Sequence, residues 1–431
     1  MLYHLSEFLK EFNIPGLGLF RYLSFRALLA SILSMSFSLL AGKKIIKMLQ
    51  KKQIGEEIRD LGLEGQMQKK GTPTMGGIII ILSLLVGVLL SADLTNIYIL
   101  LLILTTLWLG GLGFADDWVK VFRHNKEGIS ERTKLIGQIV LGLAIGLTVC
   151  FNSNIVVREK VDNNSIVEQS KIGETQENTN LKEAAAPVRK ENVIKSTKTT
   201  IPFVKDNEFD YKWLSPFKGK MGWYFKWFVY VAMIVLVITA CSNGTNLTDG
   251  IDGLATGSSA IVGVVLGIFA WLSGNVINAE YLNIMYIPGT GEIAVFMAAF
   301  VGALIGFLWY NSFPAQVFMG DTGSLAIGGI IGVCAILIRK ELLLPILCGI
   351  FFVESLSVLI QRFWFKHTKR KYGEGRRVFK MAPLHHHFQK EGIPAVIQSP
   401  QKAMPEAKIT VRFWIIGLIL AVVTVALLKI R

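Results

Sequence analysis

Four clusters of acidic, amide and imidazole side chains carry what chemistry this chain can do. Asp116-Asp117-Trp118-Val119-Lys120 sets two adjacent carboxylates just ahead of an amine. That pattern suits a divalent cation held beside a phosphate, because Mg²⁺ takes one or two carboxylates and completes its octahedron with water and substrate oxygens. It equally suits a solvated helix end with an i, i+3 ion pair. Asn243, Asn246, Asp249 and Asp252 recur every third residue, with Gly244, Gly250 and Gly253 among them. Such spacing lines one side of a tight turn or helix start, and glycine lets backbone N–H groups approach a sugar or phosphate closely. The whole string from Asn243 to Gly253, with Gly250 and Ile251 inside it, is the most specific of these signals. From Asn311 to Ser324, Phe318 is placed to stack on a base, and Asp321 lies between Gly320 and Gly323. Asp321 suits a third metal carboxylate or a helix cap. His385-His386-His387 follow Ala382-Pro383-Leu384. Three consecutive histidines cannot all face one metal from a single regular element, so imidazoles aimed at phosphate oxygens fit better than a zinc site.

All four clusters fall at the ends of long apolar runs. Of 431 residues, 52% are hydrophobic and 18% charged, with mean hydropathy +0.48. A soluble protein carries nearer about a quarter charged residues. The apolar blocks are roughly 17 to 25 residues long, enough to cross about 30 Å of hydrocarbon as helices. Only closed hydrogen-bonding structures survive in lipid, and blocks of this length mean helices rather than barrel strands. The expectation is an all-α polytopic membrane protein, one integral domain over 1–431, with about ten transmembrane helices. The spans read as 22–42, 77–93, 97–115, 135–151, 224–241, 254–273, 292–310, 323–338, 343–365 and 411–428. The reactive clusters follow spans three, five, seven and nine, and odd-numbered exits open on one side of a bilayer.

Lysine and arginine orient such a chain. The loop 43–76 holds eight of them and the loop 366–410 holds ten. Both follow odd spans, so the four clusters are expected on cytoplasmic active-site loops, with both termini on the outer side. Arg21 and Arg26 run against this rule at the start of span one. The net charge of +14 then reflects topology and attraction to acidic headgroups, and nucleic acid need not be invoked. Lys69-Lys70-Gly71-Thr72-Pro73-Thr74-Met75-Gly76-Gly77 opens span two. It reads as an anion-binding turn or as a positive-inside anchor. Cys150, Cys241, Cys334 and Cys348 lie in apolar segments without C-x-x-C spacing, as small packing residues do. Glu354, inside span nine, is expected to pair across helices without a catalytic role.

Residues 152–222 break the pattern with a polar, mixed-charge insertion on the outer side. Its composition predicts partial disorder, with Phe203, Phe209, Tyr211, Trp213 and Phe217 anchoring its second half at the interface. The sequence shows no internal repeat, which weighs against an inverted-repeat transporter.

Five strings stand here in order: Lys-Lys-Gly-Thr-Pro-Thr-Met-Gly-Gly, Asp-Asp-Trp-Val-Lys, Asn-Leu-Thr-Asp-Gly-Ile-Asp-Gly-Leu, Phe-Met-Gly-Asp-Thr-Gly-Ser and Ala-Pro-Leu-His-His-His-Phe. Together they closely resemble the phospho-N-acetylmuramoyl-pentapeptide transferase family, within the polyprenyl-phosphate N-acetylhexosamine-1-phosphate transferases. The resemblance covers the chain except 152–222. It implies attack of undecaprenyl phosphate on UDP-N-acetylmuramoyl-pentapeptide, giving lipid I and UMP, the first membrane step of peptidoglycan synthesis. It also implies Mg²⁺, ten spans, a homodimer in the cell inner membrane, and periplasmic termini.

By the same resemblance, Asp116 and Asp117 sit at the phosphates, and Asp117 and Asp321 support Mg²⁺. Lys69, Asp252, Asn311 and Phe318 face the nucleotide, with Lys120, Asn246, Asp249, Gly250 and Ile251 lining the same cleft. His385 and His386 engage the pyrophosphate. Two rivals share part of this pattern. One is a sister enzyme using UDP-N-acetylglucosamine, against which the three histidines and the Thr-Pro-Thr-Met-Gly-Gly turn speak. The other is a transporter, which would place ionisable groups near mid-membrane on broken helices.

Overall fold

A computed structural model describes residues 1–9, 16–52, 71–123, 125, 127–158, 193–204 and 208–429. The apolar blocks all fold as helix. The first half contains α1 (Leu2–Phe8), α2 (Leu23–Lys51), α3 (Gly77–Ser91), α4 (Ile97–Phe122) and α5 (Glu131–Phe151). The second contains α6 (Gly219–Thr248), α7 (Leu254–Ser273), α8 (Val276–Leu282), α9 (Gly291–Asn311) and α10 (Gly320–Leu337). It closes with α11 (Leu344–Leu347), α12 (Gly349–Tyr372), α13 (Leu384–Gln389) and α14 (Glu406–Leu427). Among the described residues, eight helices are long and apolar enough to cross a membrane, or nine if one bent pair counts as a span. The protein is an all-α, multi-pass membrane protein.

Two of the expected spans depart from a straight crossing. With 15 residues, α3 is about 22 Å long at 1.5 Å per residue, short of a full hydrocarbon crossing. The approach to it, 73–76, is non-helical and buried. Irregular backbone survives at such depth only where protein satisfies it. Here Phe318 N–H donates to the Pro73 carbonyl at 2.8 Å, and Gly76 and Gly77 N–H return to the Phe318 and Met319 carbonyls at 2.8 Å each. The ninth span is not one helix but two, Glu341–Leu347 and Gly349–Tyr372, meeting at 77°. Cys348, between them, leaves the helical region at φ −93° and ψ 25°.

The core is built around α9 and α10. Helix α9 packs on α2, α3 and α7, while α10 packs on α4 and α6. Every residue from Thr322 to Leu337 is buried. Its Gly323, Ser324, Ala326, Gly328, Gly329 and Gly332 lack bulk, and small residues let membrane helices close to backbone distance. The helix that carries Asp321 is thus enclosed by the two helices that end in Asp116-Asp117 and Asn246.

At the opposite end of α10 the described parts of 152–222 are ordered, while 159–192 and 205–207, and with them much of the reading of partial disorder, lie outside the described residues. Strands β1 (Val157–Arg158) and β2 (Val193–Ile194) pair antiparallel, as do β3 (Lys198–Thr200) and β4 (Glu208–Asp210). The β3–β4 hairpin and the turn Tyr211–Leu214 form a strap across the buried Arg339, Lys340 and Glu341. Thr200 N–H donates to the Arg339 carbonyl at 3.0 Å, Lys340 Nζ to Thr200 Oγ1 at 2.7 Å, and Tyr211 OH to Glu341 Oε1 at 3.2 Å. Tyr211 therefore points inward, driven by a buried charge that needs a donor, while Phe203, Trp213 and Phe217 stay exposed as interfacial anchors do. At this same end, Arg26 forms a bidentate pair with Glu292 at 2.8 and 2.5 Å, and Arg21 lies 3.4 Å from Glu7. Both arginines that ran against the charge rule have local acids.

Candidate active site

The C-terminal two turns of α4 and the first turn of α10 meet at the end away from the strap. Asp116, Asp117 and Asp321 each offer an oxygen, and these lie within 4.8 Å of one another. Asp117 is itself the cap of α10. Its Oδ1 accepts Asp321 N–H at 3.1 Å, and its Oδ2 accepts both the Thr322 N–H at 2.9 Å and the Thr322 hydroxyl at 2.6 Å. Four N–H groups at a helix start have no partner within the helix, and a carboxylate there also complements the helix dipole. Gly320 enters this turn at φ 73°, and a Cβ there would press on the Asp117 carboxylate. Sequence reasoning offered the cap to Asp321; the structure gives it to the neighbouring helix's aspartate.

Two amines counter these acids. Lys120 Nζ lies 2.7 Å from Asp116 Oδ2 and 3.2 Å from Asp321 Oδ2. Lys134 Nζ lies 2.9 and 2.6 Å from the same two oxygens. Asp116 Oδ1 also accepts the Ile129 N–H at 2.7 Å, which draws in the loop between α4 and α5. Sequence reading missed Lys134. The available signal was its place in the first turn of a helix, where a cation opposes the dipole and so requires a partner of its own. Asn246, on the last turn of α6, donates to Asp321 Oδ1 and to Ser324 Oγ, both at 2.9 Å.

The 249–253 turn and the 311–318 segment form the adjoining wall. Asp252 Oδ2 accepts Ala315 N–H at 2.9 Å, and Asp252 N–H donates to Glu406 of α14 at 2.6 Å. Asn311 is buried, accepting from Thr256 Oγ1 at 2.7 Å and donating to the Val317 carbonyl at 3.0 Å, so its amide braces the segment that presents Phe318. Phe318 is half-buried, Ile251 is buried, and Asp249 and Gly250 are more open. Lys69 lies outside the described residues.

The histidines separate into different environments. His385 is buried, with its main-chain N–H 3.1 Å from Glu354 Oε1 and its Nδ1 3.2 Å from Glu354 Oε2. His386 is partly open, with Nδ1 2.7 Å from Gln389 Oε1. His387 holds the loop together: its Nδ1 accepts Lys380 N–H at 3.1 Å and its Nε2 donates to the Ser399 carbonyl at 2.8 Å. Burial holds the His387 imidazole below the usual histidine range, the Ser399 bond opposing this and the Lys380 charge adding to it.

A compact acidic trio, two amines and a polar wall fit a site that binds phosphates. Comparison with known proteins supplies the family. The model of glycosyl transferase family 4 matches residues 193–339. The phospho-N-acetylmuramoyl-pentapeptide-transferase signature 1 matches residues 69–81. Curated proteins of that transferase name are similar over the full length of both chains, the 152–222 segment included. Those from Parabacteroides distasonis, Porphyromonas gingivalis and Flavobacterium psychrophilum are 55%, 56% and 52% identical, each covering 100% of either chain. On this full-length likeness and the signature at its second span, the chain belongs to the phospho-N-acetylmuramoyl-pentapeptide transferase family of membrane enzymes.

Proposed function

We propose that this transferase moves phospho-N-acetylmuramoyl-pentapeptide from UDP-N-acetylmuramoyl-pentapeptide to undecaprenyl phosphate at the cytoplasmic face of the inner membrane, as a homodimer. The products are lipid I and UMP. The observation that carries this reading is the meeting of Asp116, Asp117 and Asp321 within 4.8 Å, beside Lys120 and Lys134, at one end of a membrane bundle. Reactive groups at a span end face a water-borne nucleotide on one side and a lipid phosphate on the other. The eighteen basic residues in loops 43–76 and 366–410 support the cytoplasmic orientation.

The donor set fits Mg²⁺: hard carboxylate oxygens, few enough to leave room for substrate oxygens. Asp321 and Asp117 would hold it, and bound there it would neutralise charge on the transferring diphosphate. The rest is positioning. A phosphate monoester loses its second proton near about pH 6, so much of the lipid phosphate is already dianionic at neutral pH. Its oxygen attacks the sugar-side phosphorus in line, and the bond from that phosphorus to the bridging oxygen breaks. UMP departs with the bridging oxygen. Asp116 orients the attacking phosphate through Lys120 and Lys134, and Phe318 stacks on the base.

Purified protein supplied with undecaprenyl phosphate should release UMP from UDP-N-acetylmuramoyl-pentapeptide and not from UDP-N-acetylglucosamine. Release from the latter alone would place the chain with the sister enzymes. Asp321→Asn should abolish turnover, since an amide neutralises no metal charge. Trapping a phosphorylated aspartate from nucleotide substrate alone would replace direct attack with a two-step route.

A further inference from the structure

Glu354 is a fully buried carboxylate within the bent ninth span, on α12, and the transfer chemistry above leaves it without a task. Its surroundings give it one. Both of its oxygens face the start of α13: His385 N–H lies 3.1 Å from Oε1 and 3.3 Å from Oε2. Oε2 is also 3.2 Å from His385 Nδ1. This last contact has the distance of an ion pair without hydrogen-bond geometry, and a carboxylate so close to Nδ1 favours the tautomer that carries its proton there. Neither ring nitrogen has a hydrogen-bond partner among the described residues, and Nε2, the one outside the carboxylate contact, is left to meet a ligand. Nε2 points at Gly250, in the turn between Asp249 and Asp252, and a Cβ at that position would collide with it. Glycine at 250 is what admits the imidazole to the floor of the turn.

We propose that Glu354 is a positioning residue for the transfer reaction, fixing the tautomer and orientation of His385 so that Nε2 is presented at Gly250 toward the substrate's phosphate-bearing end. The proposal rests on the reading of the 249–252 turn and His385 as part of the transfer site. Carboxylates that orient an imidazole in this way are worth about 10- to 100-fold in activity when removed. Glu354 touches no substrate atom; its effect passes through the ring. The break at Cys348–Gly349 gives this a structural sense, because it sets α12, and Glu354 with it, at an angle to the helical turn that precedes it.

The test combines kinetics with imidazole ¹⁵N spectra of the full-length protein in detergent, the His385 signal being identified by its loss in His385→Asn. In the parent protein Nδ1 should carry the proton. In Glu354→Gln the side-chain amide donates toward Nδ1, the proton moves to Nε2, and kcat falls about 10- to 100-fold. In a His385→Asn background, Glu354→Gln should cost less than about threefold more, because residues acting as one unit are not additive. If Glu354→Gln does not fold, Glu354→Asp serves in the same cycle, with a smaller loss and the Nδ1 proton retained. An unchanged His385 spectrum in Glu354→Gln, or full additivity in the double variant, overturns the proposal. A fully active His385→Asn removes the histidine from the site and the proposal with it. Failure of UMP release in the parent protein is a separate result that refutes the transfer reading instead.

Discussion

Removing Lys134 should weaken catalysis while strengthening metal binding, two effects that a merely structural lysine would not separate. Asp116, Asp117 and Asp321 stand against Lys120 and Lys134, three formal negative charges against two positive, leaving one negative charge. Lys134→Met keeps the length of the side chain and leaves two. A unit pair about 4 Å apart interacts by about 4 kcal/mol at an effective dielectric of about 20. The Lys134 side chain is 19% exposed and Lys120, which remains, is 36% exposed, so water screens much of the change. If about a third survives, the gain is about 1.4 kcal/mol, a tenfold fall in the Mg²⁺ concentration for half-maximal rate. The lost amine also leaves the transferring phosphoryl group without one of its donors, which costs about 10²- to 10³-fold in kcat. UMP release followed across a Mg²⁺ titration reads both numbers from one series. A folded Lys134→Met protein that needs more Mg²⁺, or that turns over at the parent rate, would refute this charge argument.

Three further outcomes follow from the structure. Replacing 159–192 by an Asn-Gly turn between Arg158 and Val193, which are paired across β1 and β2, should leave UMP release unchanged in detergent. Removing 193–214 as well uncovers Arg339, Lys340 and Glu341 and should cost about 3–5 kcal/mol, read as a fall in Tm. Glu292→Gln leaves Arg26 buried with half its partner and should destabilise by a similar amount, without altering the Mg²⁺ requirement. Because burial lowers the His387 pKa in the folded protein, its contribution to stability is complete above the unfolded value of about 6.5 and is lost as pH falls below it. Hydrogen exchange in 378–404 should therefore accelerate below about pH 6 in the parent and lose that dependence in His387→Gln.

Much of this was legible in the sequence because bilayers impose a strong length and polarity code. The runs from 97 to 115 and 292 to 310 sit inside α4 and α9, and Asp116, Asp117 and Asp321 converge as odd-numbered exits require. Hydropathy does not report whether a run is straight, so the break at Cys348 escaped it, as did the buried, non-helical approach to α3. Composition was also silent on the contacts made by 193–214. Polar residues there serve buried charges on Arg339–Glu341 rather than water, and only the partner's position reveals that. Lys134 was passed over for the same reason, and Glu354 was read as pairing across helices without its partner being named: each takes its meaning from residues far along the chain.

The double duty of Asp117 reaches beyond the reaction. The side chain that faces the acidic centre also ties down the opening turn of the most enclosed helix in the bundle. An exchange there is punished twice, through lost chemistry and through a loosened scaffold, so drift at this position has no neutral path. A small molecule that pulled this carboxylate aside would act as an inhibitor and as a local denaturant at once.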